Sequence, residues 1–288
     1  IIHCHDADTL QIGISMKSKT EVKLVFDMHD LAHTWARMAR PKSIIRRIIA
    51  KMIEKQLVRR MKKCDLIITS SGAVSKTSHP GFREWVRERI GNPNITVVEN
   101  RPIKTKEIEP LPNEFTIGYA GKIREKSMFK TLIQAIEKWP DEKTPKIIIA
   151  GDGTADSEVD NLFVSSNIEI ERFGRFTRQE LPSIIGKMSV MYAVYPTIRG
   201  NILDGALPTK MFDAAIYGRP SVVNSGCLMG DITKLEKLGI AVDVDDVSSL
   251  RNALMQIKSE HLMVKLERDW EGESKRLVLA YKDLGDGS

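Results

Sequence analysis

The chain has 288 residues, 42% hydrophobic and 28% charged, the profile of a soluble globular protein with room for two domains of ordinary size. No apolar run approaches the ~20 residues of a membrane span and no signal-peptide pattern opens the chain. Three cysteines, Cys4, Cys64 and Cys227, form no CxxC pair, which argues against a disulfide framework or a structural zinc site and makes a reducing cytosol the expected compartment.

Short apolar runs with β propensity predict strands at Ile1–His5, Val22–Asp27, Leu66–Thr69 and Ile95–Val98. Helical periodicity fills the gaps near Thr9–Lys17, Ser43–Lys63 and Gly81–Ile90. The net charge of +6 concentrates between Arg37 and Lys63, where eleven basic residues, Arg40 among them, stand against Glu54 alone. Ile44, Ile45, Ile48, Ile49, Met52, Ile53, Leu57 and Met61 repeat there near the helical period, so this is a basic amphipathic helix. Its apolar stripe either packs on a sheet with the lysines in water or meets anionic lipid head groups. No aromatic residues interleave with the charges as a nucleic-acid stacking surface requires.

After Asn100 the composition turns polar, with Pro102, Pro110 and Pro112, marking a linker. A second alternating set follows. Strands are expected at Phe115–Tyr119, Lys146–Ala150, Ile168–Glu171, Val190–Val194, Ser221–Val223 and Ile240–Val242. Helices fall near Met128–Trp139, Glu158–Ser165, Gln179–Lys187, Leu207–Tyr217, Ile232–Leu238 and Ser248–Ser259, and an amphipathic terminal helix runs from Arg268 through Leu284. Strand–helix alternation of this kind makes parallel sheets.

Several segments carry candidate chemistry. In Leu207-Pro208-Thr209-Lys210-Met211-Phe212-Asp213, followed by Gly218-Arg219-Pro220, Lys210 and Asp213 lie three apart on a short helix that Gly218 ends. By spacing alone they are an exposed ion pair. Gly118-Tyr119-Ala120-Gly121-Lys122-Ile123-Arg124-Glu125-Lys126 puts basic residues in a loop before a helix, which is either a solvated loop or, with the helix N-terminus, a diphosphate site. Gly151-Asp152-Gly153 follows a buried strand and permits either a tight turn or close approach to a ligand. Asp152 has no acidic partner at 154, so no metal-binding D-x-D pair is present. In His3-Cys4-His5-Asp6 the spacing looks like a metal-ligand pattern, but the expectation is that His3 and His5 fall on alternate faces of a strand and share no ion.

In their order these segments resemble the retaining GT-B glycosyltransferases of family 4, the glycosyl transferases group 1. The helix at Pro208 resembles the family's P-x-K-[LM]-F-E motif, with Asp213 in the place of the Glu that accepts the ribose hydroxyls. A second Glu that many relatives carry eight residues earlier is Gly205 here. The loop at Gly121 resembles G-R-L-x-x-E-K-G, which implies diphosphate contacts for Lys122 and for Lys126 or Arg124, while Gly151 and Gly153 match the family's G-x-G turn. Phe173-Gly174-Arg175-Phe176 resembles a turn that cups the nucleobase. Phe26-Asp27-Met28-His29-Asp30 resembles D-x-H-E, which implies that His29 orients the reaction, and His5 and Asp6 match residues lining the cleft.

The resemblance implies two Rossmann-like domains facing a cleft. The first is expected at residues 1–108, incomplete and cut inside a strand because the chain opens on Ile1. A nucleotide-sugar-binding domain is expected at 109–268, and a helix at 269–288 crosses back to the first domain. The expected activity moves a sugar with retention from a UDP- or GDP-sugar to an acceptor hydroxyl, on a glycan or lipid-linked, without metal or other cofactor. The expected location is cytoplasmic, with peripheral membrane contact through Arg37 to Lys63 and no nucleic acid partner. Two rival readings are a sugar-nucleotide epimerase of the same fold and a non-catalytic nucleotide or membrane-surface scaffold.

Overall fold

A computed structural model describes residues 1–38, 42–104, 110–196, 198 and 200–286. Arg40 and residues 105–109 of the expected linker lie outside the described residues. In chain order the elements are β1 (Ile2–His5), α1 (Asp6–Lys17), β2 (Leu24–Met28), α2 (Ala32–Met38), α3 (Ile44–Met61), β3 (Leu66–Thr69), α4 (Phe82–Ile90) and β4 (Ile95–Val97). They continue with β5 (Thr116–Ala120), α5 (Ser127–Glu137), β6 (Lys146–Ala150), α6 (Asp156–Ser165), β7 (Ile170–Gly174), α7 (Leu181–Gly186) and β8 (Val190–Ala193). Last come α8 (Gly200–Leu203), α9 (Thr209–Ile216), β9 (Ser221–Asn224), α10 (Leu228–Leu235), β10 (Gly239–Val242), α11 (Val247–Ser259) and α12 (Trp270–Asp286).

The chain forms two compact units. The first comprises Ile1–Arg101, Thr197–Leu207 and Arg268–Ser288, the second Pro102–Pro196 and Pro208–Glu267. Each is built on a parallel sheet, with order β1-β2-β3-β4 in the first and β10-β9-β8-β5-β6-β7 in the second. The second order is that of a doubly wound nucleotide-binding sheet, in which succession reverses between two central strands, here β5 and β8. Its central strands are buried along their length because helices cover both faces of such a sheet.

In the first unit, Leu10, Ile14, Phe26, Met28, Leu57, Met61, Phe82 and Trp85 form the core on one side of the sheet. Val25, Leu66, Ile68 and Val98 face the other way and are covered by Ala280, Leu284, Leu277 and Tyr281 of α12. The terminal helix therefore does return to the first unit. Burying that much apolar surface is the main force that holds it.

A buried ionic network fixes where α12 begins. Arg101 donates to Glu99 Oε2 through Nε (2.8 Å) and Nη2 (2.6 Å). Arg268 Nη2 reaches Glu99 Oε1 at 3.1 Å and Glu273 Oε1 at 2.8 Å, and the Glu99 backbone N–H donates to Glu273 Oε2 at 3.0 Å. Both carboxylates are almost completely buried, so removing one strands charge in a low dielectric.

Of the two readings left open for the apolar stripe of α3, packing holds for only part of the helix. Only Ala50, Leu57 and Met61 are buried. Ile44, Ile45 and Met52 are 68%, 70% and 67% exposed, and Ile48 and Ile49 share their face. The core in this part of the fold is supplied by α1 and α4, leaving the first half of α3 with an apolar side of its own.

Glu273→Ala should lower unfolding free energy by about 3–5 kcal/mol. A urea midpoint unchanged from that of the parent chain would contradict the role given to the network.

Candidate functional site

In a doubly wound sheet the loops at the carboxyl ends of the strands adjoin the switch point. In the second unit these are the segments after β5, β6, β7 and β8. After β5 the chain turns at Gly121 (φ 141°), and after β6 at Gly151 (φ 128°), conformations that exclude most L side chains. The loops lie one against the other. Gly121 N–H donates to the Ala150 carbonyl at 2.9 Å, and Ile123 N–H to the Asp152 carbonyl at 2.9 Å. A Cβ at position 151 would sit 1.9 Å from the Gly121 carbonyl oxygen, and one at 153 would sit 1.9 Å from the Ile123 carbonyl oxygen. The G-x-G turn is thus demanded by its neighbouring loop, before any ligand is considered.

Above these loops stands the start of α9. Pro208 is extended and caps the helix. At the other end Gly218 (φ 77°) closes it, with Arg219 N–H bonded to the Ala214 carbonyl and Gly218 N–H to that of Ala215, a Schellman stop. The guanidinium of the fully buried Arg219 donates to the Pro110 carbonyl at 2.8 Å and to Gly186 at 3.1 Å, tying α9's far end to α7.

The Lys210 ammonium lies 3.5 Å from the Tyr119 ring centroid and 5.3 Å from that of Tyr195. Tyr119 is the penultimate residue of β5 and Tyr195 comes just after β8, the two strands that define the switch point. A Cβ at Gly121 would be 3.3 Å from Lys210 Nζ, so the cation overhangs the β5 turn. Neither tyrosine was marked by the sequence, because an aromatic at a strand end reads as core. Asp213, one turn on, is half-buried, and burial pushes its carboxyl up against weaker opposing pulls from Arg178, a Thr209 hydrogen bond and Lys210. It faces Arg178 more strongly than the Lys210 that spacing suggested.

Other expected contacts divide. Lys122 hydrogen-bonds Asp152, whose carboxyl it draws below the usual range, and so bridges the β5 and β6 loops. Lys126 pairs with Glu158 on α6 at 2.7 Å. Arg124 is exposed on the same loop, and Phe176 lies beyond Gly174 (φ 54°) in the segment that also carries Arg178. At position 205 the backbone has φ 103°, and an added Cβ would stand 2.5 Å from Gly81 Cα and 2.6 Å from the Pro80 carbonyl oxygen. A glutamate there would not fit, which accounts for the glycine.

The first unit carries a separate cluster at the carboxyl ends of β1 and β2. Asp27 Oδ2 receives His3 Nε2 at 3.3 Å, His5 Nδ1 at 3.2 Å and His29 Nε2 at 3.1 Å. The expected divergence of His3 and His5 is corrected here. Positions two apart on a strand share a face, and the two rings stack with centroids 4.3 Å apart. Asp6 follows in a left-handed conformation (φ 59°) that starts α1 and leaves its side chain exposed. Burial raises the Asp27 carboxyl, but the hydrogen bond and charge of His29 and those of His3 outweigh it, so it stays below the usual value. The Asp27 hydrogen bond raises His29 against the cost of burial, whereas burial and the neighbouring His5 lower His3.

Residues 114–260, just over half of the chain, match the family model described as glycosyl transferases group 1. Among solved structures, sucrose-phosphate synthase from Thermosynechococcus elongatus has a TM-score of 0.74 at 15% identity, covering 100% of this chain and 74% of that one. The apo lipopolysaccharide outer core galactosyltransferase WaaB gives 0.63 at 14% identity over 95% of this chain and 79% of its own. Anabaena HepE in complex with UDP gives 0.63 at 13% identity, over 97% and 74%. No curated protein sequence matches. The matched span contains every element of the second unit's switch point, and the chain belongs to the glycosyl transferases group 1, with a GT-B fold.

Proposed function

We propose that the protein transfers a sugar from a nucleoside diphosphate donor to an acceptor hydroxyl, with retention, and that the second unit holds the donor. One observation carries this reading. The Lys210 ammonium overhangs the Gly121 turn at the switch point of a Rossmann-ordered sheet, where a diphosphate meets unpaired backbone N–H groups and positive charge. Lys122 and Arg124 add charge along the same loop, and Lys126 is within its reach by rotamer change. HepE, of like fold, has been solved with UDP and with UDP-glucose, which supports a UDP-sugar donor; a GDP-sugar is the alternative.

In this reading Asp213 accepts hydrogen bonds from the two ribose hydroxyls, which an ionised carboxylate can take together. Phe176 and the Gly174 turn lie against the base. The bond between the sugar's anomeric carbon and the diphosphate oxygen breaks, and charge grows on the diphosphate. Lys210 and Lys122 stabilise that charge more in the transition state than before it. The acceptor oxygen bonds to the anomeric carbon and its proton passes to the departing diphosphate. His29, with Asp6, positions the acceptor. No metal is required by these steps.

Exposed isoleucines on α3 beside Arg46, Arg47, Lys51 and Lys55 support peripheral contact with anionic membrane and hence a lipid-linked acceptor. No helix among the described residues is long and apolar enough to cross a membrane.

The donor site is tested by Asp213→Asn with UDP- and GDP-sugars in calorimetry. Affinity should fall roughly 10- to 100-fold, the loss of hydrogen bonds to a charged acceptor; equal affinity would remove Asp213 from the site. Stability should move the other way. Because the folded-state pKa of Asp213 is raised, its contribution is retained at low pH and lost as pH rises from the ordinary carboxylate range through that raised value. The variant should therefore match the parent in thermal midpoint at low pH and exceed it at neutral pH.

For the membrane contact, Ile45→Glu with Ile49→Glu should reduce co-sedimentation with phosphatidylserine vesicles about tenfold or more at an unchanged melting temperature. If the parent chain leaves such vesicles in the supernatant at low salt, the lipid reading fails.

A further inference from the structure

The cluster at the ends of β1 and β2 lies outside the second unit's donor site, and its geometry goes beyond hydrogen bonding. Three donor atoms converge, His3 Nε2, His5 Nδ1 and Asp27 Oδ2, with His29 Nε2 beside His5 and Asp27. The three nitrogens stand 3.3, 3.2 and 3.1 Å from the carboxylate oxygen, and His5 Nδ1 and His29 Nε2 are 3.4 Å apart. The His3, His5 and Asp27 ligand atoms all lie within 4.8 Å of one another.

Two facing imidazole nitrogens at this distance share at most one proton between them, and one carboxylate oxygen cannot satisfy three ring N–H groups along its lone-pair directions. A single cation satisfies His3, His5 and Asp27 together and leaves a fourth position for water. For bonds of about 2.0–2.1 Å, a tetrahedron has edges of about 3.3–3.4 Å, close to the 3.3 and 3.2 Å at which His3 and His5 stand from Asp27 Oδ2.

The outer surroundings fit as well. His3 Nδ1 is hydrogen-bonded to the Tyr281 hydroxyl, which orients the ring with Nε2 toward Asp27, as the second ring nitrogen of a metal-bound histidine usually requires. His3 and Asp27 are mostly covered, whereas His5 and His29 are open enough to admit an ion.

We propose that His3, His5 and Asp27 form a binding site for a divalent transition ion of the zinc type, with Tyr281 positioning His3. Two imidazole nitrogens and a carboxylate oxygen suit Zn²⁺ or Co²⁺ and disfavour Mg²⁺ or Ca²⁺, which want more oxygens. Such an ion links the ends of β1 and β2 and, through His3 and Tyr281, the terminal helix.

The test uses the full chain freed of metal with EDTA and titrated with Co²⁺, then with Zn²⁺ against a chromophoric chelator. One equivalent should bind with the intense visible absorption of a four-coordinate cobalt ion. Zn²⁺ should displace it and raise the melting temperature, and Mg²⁺ should do neither. The variant H3Q/H5Q, checked for folding by circular dichroism in EDTA, should lose about 100-fold in affinity. Tyr281→Phe, a milder change, should lose about tenfold. A weak six-coordinate cobalt spectrum in the parent chain, or zinc binding equally tight in a folded H3Q/H5Q, overturns the proposal.

Discussion

A side chain at position 151 or 153 would begin where another backbone already lies, 1.9 Å from a carbonyl oxygen of the β5 loop. That close nesting of two loops is the constraint on which the second unit's chemistry depends. Hydrogen bonds from Gly121 and Ile123 to Ala150 and Asp152 lock the nest, and the Lys122–Asp152 pair spans it. With the two loops fixed, Lys210 lies over the face of Tyr119 at the end of β5. The tyrosine holds the ammonium by attraction to the ring quadrupole.

Parallel sheets explain why so much collects at one edge. Strands buried on both faces can carry no solvent chemistry along their length, and only the loops at their carboxyl ends remain. The reversal of strand order at β5 and β8 parts those loops, which is where Tyr119 and Tyr195 are found. Asp213 has a different physical character. Its carboxyl is held where burial opposes ionisation, an arrangement that lowers stability at neutral pH and suits a group kept for a ligand.

Much of the fold was legible from sequence because its signals are local. Lys146–Ala150 and Leu66–Thr69 are apolar runs bounded by turn residues, and the structure has strands with those bounds. The short helices α2 and α8 were not foreseen, since one or two turns carry too little periodicity to register. The apolar residues of α3 did register, but period alone does not say which side meets a core; packing against α2, α1 and α4 decided that. In the site, Lys210, Gly121 and Gly151 were marked by their turns and spacing. Asp27 was passed over although it sits between Phe26 and His29 in the quoted segment, because the convergence of His3, His5 and His29 on it requires the parallel register of β1 and β2, which no linear spacing reveals. Gly205 was read as a missing acid; the structure supplies the reason in its contact with Gly81.

The central claim is that the second unit's switch point holds the nucleoside diphosphate. Hydrogen–deuterium exchange with and without UDP and GDP tests it segment by segment, because amides that bind phosphate or are shielded by it exchange more slowly. The account predicts slowed exchange in residues 121–127, 151–155 and 209–213 with at least one of the two nucleotides. Protection confined to other segments, with these three unchanged at saturating nucleotide, would contradict it.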